Sequence, residues 1–293
     1  MTDFILSTES TVNLTDKRLQ SRNIPYIHYH FLLDGEDYLD DFGASMPMHD
    51  LYNRMLAGSS VTTSQIAVGA YCDYFEELLS SGRDVLHLAM SSGISGSAQS
   101  AEKAAEMMRE KYPDRRVRVV DTLCIAGGLG LIVEACADLR DAGRSLDEIY
   151  DWAMAHRLEV QHWFYSTDLT FFIRGGRISR ASGLLGQMLN ICPLMTVTET
   201  GALTVHQKIR TRKKCMRAAL AKMLSLAHNG EHYSDRCFIN DSDPADAADL
   251  RREVLAVFPE IKELSSYSLG ATIGCHTGPG TVAIFFWGSP RSN

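Results

Sequence analysis

Val85-Leu-His-Leu-Ala-Met-Ser-Ser-Gly-Ile-Ser-Gly-Ser97 runs an apolar strand into a serine- and glycine-rich turn, and a helical pattern follows from Ser97 to Lys111. Val85–Met90 is apolar but for His87, the pattern of a strand buried within a sheet. Working outward, Phe4–Ser7, Ile24–Phe31 and Val117–Asp121 read as further strands, and Ile66–Ser80 and Ile125–Ala142 as helices. Strands separated by helices of this length imply a parallel sheet with helices on both faces. Ser145-Leu-Asp-Glu148 is a capping box that opens another helix, through His156.

The second half changes character. Val160–Ser166 reads as a strand, and Thr196–Val205 as a hairpin turning around Glu199–Gly201. A long helix over Thr211–Ala227 precedes strand Cys237–Asn240, helix Pro244–Val257 and strands near Ile261–Leu269 and Thr281–Trp287. The expected fold is therefore α/β in two domains. Residues 1–160 form an N-terminal parallel-sheet domain, and residues 161–293 a smaller C-terminal mixed α+β domain.

The bulk composition narrows the function. Hydrophobic residues make up 45% and charged residues 22% of 293, the balance of a globular protein with its own core. A net charge of −7 argues against nonspecific nucleic-acid or anionic-lipid binding by the whole surface. No nucleic-acid partner is expected. Seven scattered cysteines form no C-x-x-C pair, which fits reduced thiols better than a disulfide framework. The first residues lack the basic region of a signal peptide, and no run is apolar enough to span a bilayer. A cytoplasmic location is expected.

Four serines fall within Ser91–Ser97, where backbone N–H groups and a helix start can hold an anion and hydroxyls add donors. Capping the helix would account for one serine, not four. Gly93 and Gly96 would let the backbone approach a ligand. The alternative is a nucleophile elbow at Gly93-Ile-Ser95, but the second glycine is Gly96, one position early. No Walker loop, dinucleotide fingerprint or zinc motif occurs, so no cofactor, metal or catalytic residue is assigned.

Val61-Thr-Thr-Ser-Gln65 precedes the helix near Ile66, where its hydroxyls either cap that helix or reach a ligand. About one helix and one strand separate Thr63 from Ser95, so adjacent βα loops at the sheet's carboxyl edge would bring them together. Arg174-Gly-Gly-Arg-Ile178 reads as a loop with two guanidinium groups suited to carboxylate or phosphate oxygens. Ile273-Gly-Cys-His-Thr-Gly-Pro-Gly280 reads as a glycine-rich loop holding His276. Arg210, Arg212, Lys213, Lys214 and Arg217 form a basic run that is either a solvated helix end or a contact for an anionic membrane or acidic partner. Phe171, Phe172, Leu184, Leu185, Met188 and Leu189 are core or line an apolar tunnel.

Taken in order, these pieces resemble the DegV family along nearly the whole chain. The matching stretches are Ser7–Leu14, Thr63-Ser-Gln65, Ser91–Ser97, Val119-Val-Asp121, Arg174–Ile178, Gln207–Lys214 and Ile273–Gly280. The resemblance implies one long-chain fatty acid, of hexadecanoate size, in a cleft between two domains. It implies that the acid is presented to a separate fatty acid kinase that makes the acyl phosphate. Thr63 and Ser95 would hold the carboxylate, with Ser64, Ser92 and Gly96 beside them. Arg177 and His276 would lie near the head group and its phosphorylated form. Burying roughly fifteen carbons at about 0.8 kcal/mol each offers on the order of 10 kcal/mol before ordering costs. The chain departs from the family pattern at Glu9 and Asn13, commonly Asp, at Ile66, commonly Pro, and at Cys192, often Lys. A serine hydrolase using Ser95 on acyl esters, and a lipid buffer without a kinase, are the rival readings.

Overall fold

The computed structural model describes residues 4–178 and 191–292. In chain order the first half holds β1 (Phe4–Glu9), α1 (Asp16–Ser21), β2 (Tyr26–Ile27), β3 (His30–Leu33), β4 (Glu36–Leu39), α2 (Met48–Leu56) and β5 (Val61–Ser64). It continues through α3 (Val68–Leu79), β6 (Asp84–Ala89), α4 (Ser97–Lys111), β7 (Val117–Asp121), α5 (Gly127–Asp141) and α6 (Leu146–His156). The second half holds β8 (Val160–Ser166), α7 (Thr170–Arg174), β9 (Leu194–Val197), β10 (Leu203–Gln207) and α8 (Arg212–Leu226). After them come β11 (Arg236–Asp241), α9 (Pro244–Val257), β12 (Glu263–Ser268), α10 (Ala271–Thr277) and β13 (Thr281–Trp287).

Four strands in the order β2-β1-β6-β7 make the parallel sheet, and β6 is buried from Val85 to Ala89 between two neighbours. Ala98, Ala101, Ala105 and Met108 form the buried stripe of α4, at the three- and four-residue spacing of a packed helix. Ser145 and Glu148 close the capping box on α6. The second sheet, in the order β10-β9-β8-β13-β11-β12, is antiparallel except at β11–β12. This mixed sheet has more strands than the first, although its half of the chain is shorter. Helix α5 packs on strands of both sheets, and we keep residue 160, where β8 begins, as the proposed boundary.

A third sheet was not expected. Residues 24–31 read as one strand, but the chain breaks there into β2 and β3, and β3 joins β4 and β5 in an antiparallel layer. Phe31 and Leu33 point inward from β3 onto a small separate core with Leu51, Met55, Phe171, Ala271 and Cys275. That core ties the layer and α2 from the first half to α7 and α10 from the second. It is the packing that brings the two halves' polar residues together.

Two other loops are helical. Thr170–Arg174 forms α7, so Arg174 ends a helix, and Ala271–Thr277 forms α10, which carries His276 in its last turn. The fully buried carboxylate of Asp40 accepts the N–H groups of Ala271 and Thr272 at 3.1 Å each and so caps α10 despite its glycines. Leu184, Leu185, Met188 and Leu189 lie outside the described residues. Among the described residues no helix is long and apolar enough to cross a membrane.

Candidate functional site

Thr63 comes from β5, in the small antiparallel layer, and not from a loop at the edge of the parallel sheet. Ser95 comes from the turn after β6, as its strand-turn-helix pattern requires. They meet at one cavity of about 40 Å³, whose polar wall includes Tyr29, Thr63, Ser64, Ser95, Arg177 and His276. Met90, Ile94, Ile125, Leu203 and Ile273 supply apolar wall. That volume holds a few atoms of a head group and not a long tail.

The hydrogen bonds order these groups. Thr63 Oγ1 lies 2.7 Å from His276 Nε2. Arg177 donates from Nη1 to the Gly175 carbonyl at 2.6 Å and from Nε to the Ile94 carbonyl at 3.4 Å. Its guanidinium is therefore partly buried against carbonyls, with no carboxylate among those partners. Burial and the neighbouring Arg177 push the His276 imidazole down to about 4, so it is neutral near pH 7. Of the two residues, only Arg177 carries a charge there.

Behind Ser95 lies a buried network that motif spacing could not show. Ser95 Oγ is 3.4 Å from the Tyr29 hydroxyl and 3.1 Å from Ser97 Oγ, and it accepts the Ser97 N–H at 3.3 Å. Tyr29 donates to Glu9 at 3.3 Å, and Glu9 also accepts from the Tyr71 hydroxyl at 2.5 Å and the Met90 N–H at 2.9 Å. Burial and the Glu9 charge hold the Tyr29 phenol far above its usual range, so it keeps its proton. With the Tyr29 O–H directed at Glu9, the Ser95 hydroxyl points to Tyr29 or Ser97 and can turn towards a ligand by rotation about one bond.

Other members of the turn have different work. Ser91 is buried and donates to the Gly201 carbonyl at 2.8 Å, pinning the turn to the β9–β10 hairpin. The Ser92 N–H donates to Asp121, and neither Ser92 nor Gly96 lines the cavity. A Cβ on Gly93 would stand 2.4 Å from the Gly201 backbone, and one on Gly96 would stand 2.2 Å from Gln65 Oε1. The glycines let protein segments close on each other, where a close approach to ligand was expected. The departures also find local partners. Ile66 donates its N–H to Ser97 Oγ at 3.0 Å, a bond that proline cannot make. Asn13 adopts a left-handed backbone at φ 49 and donates to the Ser268 carbonyl at 3.1 Å. The buried Cys192 thiol is held below its usual range, chiefly by its hydrogen bond with Cys215.

The arrangement gathers neutral donors and one guanidinium at the wall of one cavity. Among the described residues, Ser95 has no base as a hydrogen-bond partner. Thr63 does touch a histidine, but the other ring nitrogen of His276 has no partner to orient it.

The chain belongs to the DegV family: the model described as "Uncharacterised protein, DegV family" matches residues 4–288. A DegV domain-containing protein of Streptococcus pyogenes is 36% identical over 97% of this chain and 98% of its own length. A DegV family protein from Thermus thermophilus, described for its fatty acid binding, superposes with a TM-score of 0.87 at 28% identity, covering 98% and 100% of the two chains. The fatty acid kinase B3 protein of Streptococcus pneumoniae, loaded with linoleic acid, shares the fold at a TM-score of 0.82 and 20% identity, covering 99% and 100%.

Proposed function

We propose that this protein binds one long-chain fatty acid and presents its carboxylate to a separate kinase that forms the acyl phosphate. The observation that carries this is the convergence of Thr63, Ser95 and Arg177, from three separate elements, on one small polar-ended cavity. Hydroxyl donors and one partly desolvated guanidinium suit a carboxylate in apolar surroundings. Fatty acid binding by the Thermus thermophilus relative supports the choice of ligand. Catalysis belongs to the kinase in this reading: among the described residues Ser95 has no base as partner, and the depressed His276 imidazole is a weak base at neutral pH. It works in the cytoplasm. Exposed Lys213, Lys214 and Arg217 on α8 offer a transient contact to an anionic membrane surface.

Organic extraction of the purified protein followed by mass spectrometry tests the ligand, with about one unbranched fatty acid per chain expected. Recovery of only sugars, sterols or nucleotides would overturn the proposal. Incubation with the kinase and ATP separates presentation from buffering: no acyl phosphate from a loaded protein would leave a lipid buffer. Labelling of Ser95 by a fluorophosphonate would instead indicate a serine hydrolase.

A further inference from the structure

Glu9, Asp40 and Glu134 are acids with no exposed surface, and they differ in what meets their charge. Glu134 meets Arg18 and Arg22, and Asp40 meets the N–H groups that open α10. Glu9 accepts from the Tyr71 hydroxyl on Oε1, and from the Thr11 and Tyr29 hydroxyls and the Met90 N–H on Oε2. Among the described residues the only basic atom within 4 Å of it is His87 Nε2, at 3.9 Å. Tyr29 and Met90 both line the head-group cavity, so this carboxylate stands directly behind the cavity wall. A carboxylate accepts hydrogen bonds and donates none. Turning it away would leave its buried donors unpaired. The Tyr29 hydrogen is therefore spent on Glu9, and Tyr29 offers only oxygen lone pairs to Ser95 Oγ, 3.4 Å away.

We propose that Glu9 is a positioning residue that acts through Tyr29: it withholds the phenol hydrogen from the head-group cavity and so leaves one oxygen of the ligand's carboxylate free to react. This deepens the proposed function and rests on it. In the transfer carried out by the kinase, a carboxylate oxygen bonds to the γ-phosphorus of ATP as the bond to the bridging oxygen breaks and ADP leaves. A hydrogen bond given to the attacking oxygen before that step stabilises the ground state and raises the barrier. Thr63, Ser95 and Arg177 supply donors that hold the acid. A further donor from Tyr29 would add affinity and slow the transfer. Glu9 removes that donor without removing the ring that fills the wall.

Glu9→Leu removes the acceptor and frees the Tyr29 hydrogen. The full-length variant is read in two assays: displacement of a fluorescent fatty acid, and acyl phosphate formed with the kinase and ATP at saturating lipid. Affinity should rise and transfer should slow, each by about threefold or more. Added to Tyr29→Phe, Glu9→Leu should shift neither reading beyond Tyr29→Phe alone, because its route runs through that hydroxyl. Glu9→Gln should restore the parent's values, since its amide oxygen takes the place facing the Met90 N–H and keeps the Tyr29 hydrogen there. Losses in both assays, no change in either, or an effect that persists in Tyr29→Phe overturns the proposal and leaves Glu9 a structural group. Should Glu9→Leu not fold, Tyr29→Phe is set against Ser95→Ala. The first should cost less than about threefold in affinity and the second about tenfold or more. Equal losses would mean that Tyr29 donates to the ligand, and the proposal fails. A parent protein that carries no fatty acid would instead sink the proposed function, and this inference with it.

Discussion

Thr63 Oγ1 lies 2.7 Å from Nε2 of His276, although 213 residues separate them in sequence. The small core of Phe31, Phe171 and Cys275 brings their elements together, and Asp40 fixes the helix on which His276 stands. Because His276 is neutral, its tautomer decides what Thr63 can do. With the proton on Nε2, the ring donates to the Thr63 oxygen and leaves the hydroxyl hydrogen free for a ligand. With the proton on Nδ1, that hydrogen is consumed by the ring. A carboxylate ligand selects the first state.

Thr63→Ala and His276→Ala should therefore act as one unit. Each should weaken fatty acid binding by about 1.5–3 kcal/mol, the loss of a hydrogen bond to a charged group. The double variant should bind no worse than Thr63→Ala alone. Fluorescent fatty acid displacement across the double-mutant cycle checks this, and additive losses would mean the two residues act independently.

The same histidine makes stability depend on pH. Its folded pKa, about 4, lies below the usual 6.5, so the unfolded chain takes up the proton first as pH falls. Stability present above pH 6.5 is lost progressively towards pH 4, to a ceiling of roughly 3 kcal/mol. Arg177 and Thr63 are the groups that face the ring. His276→Gln does not titrate, so urea unfolding at pH 7 and pH 5 should show a smaller acid loss in this variant than in the parent. Equal losses would place the imidazole in a wetter setting than the structure gives it.

Sequence legibility followed locality. Val117–Asp121, Val160–Ser166 and Pro244–Val257 match their elements because pattern, caps and length all agree within each segment. The third sheet was hidden because β3 turns only Phe31 and Leu33 inward, too short an alternation to separate from the preceding residues. Helix α10 was hidden by its glycines, since its cap, Asp40, lies 231 residues away from Ala271. Thr63, Ser95, Arg177 and His276 were identifiable from their motifs. Tyr29 and the role of Glu9 were not, because their function depends on buried neighbours and not on spacing.

Ser95 and Ser91, four positions apart in one turn, should respond differently to substitution. Ser95→Ala removes a hydroxyl that lines the cavity, and binding should weaken by about 1.5–3 kcal/mol with little change in melting temperature. Ser91→Ala leaves the Gly201 carbonyl without its buried donor, so stability should fall by about 1–3 kcal/mol. Binding and thermal unfolding measured on both variants check the contrast. A reversed pattern would move the head group to Ser91.

Arg177 should separate binding from transfer. A carboxylate carries one negative charge, which Thr63 and Ser95 can hold with neutral donors, whereas an acyl phosphate adds charge and acceptor oxygens. The Arg177 guanidinium lines the head-group cavity, and its hydrogen-bond partners among the described residues are backbone carbonyls, so it can follow that charge as it develops. Arg177→Ala should therefore spare fatty acid binding more than it harms acyl phosphate production by the kinase with ATP. Thr63→Ala should show the converse weighting, with a loss in binding that higher lipid concentration restores. Arg177→Lys keeps the charge but not the planar fork, so its output should fall between parent and alanine variant. Binding is measured by lipid displacement, and transfer at saturating lipid by trapping the acyl phosphate with hydroxylamine. Equal losses in both assays for Arg177→Ala would assign the residue to the carboxylate or the fold, and the division of labour between hydroxyls and guanidinium would fail.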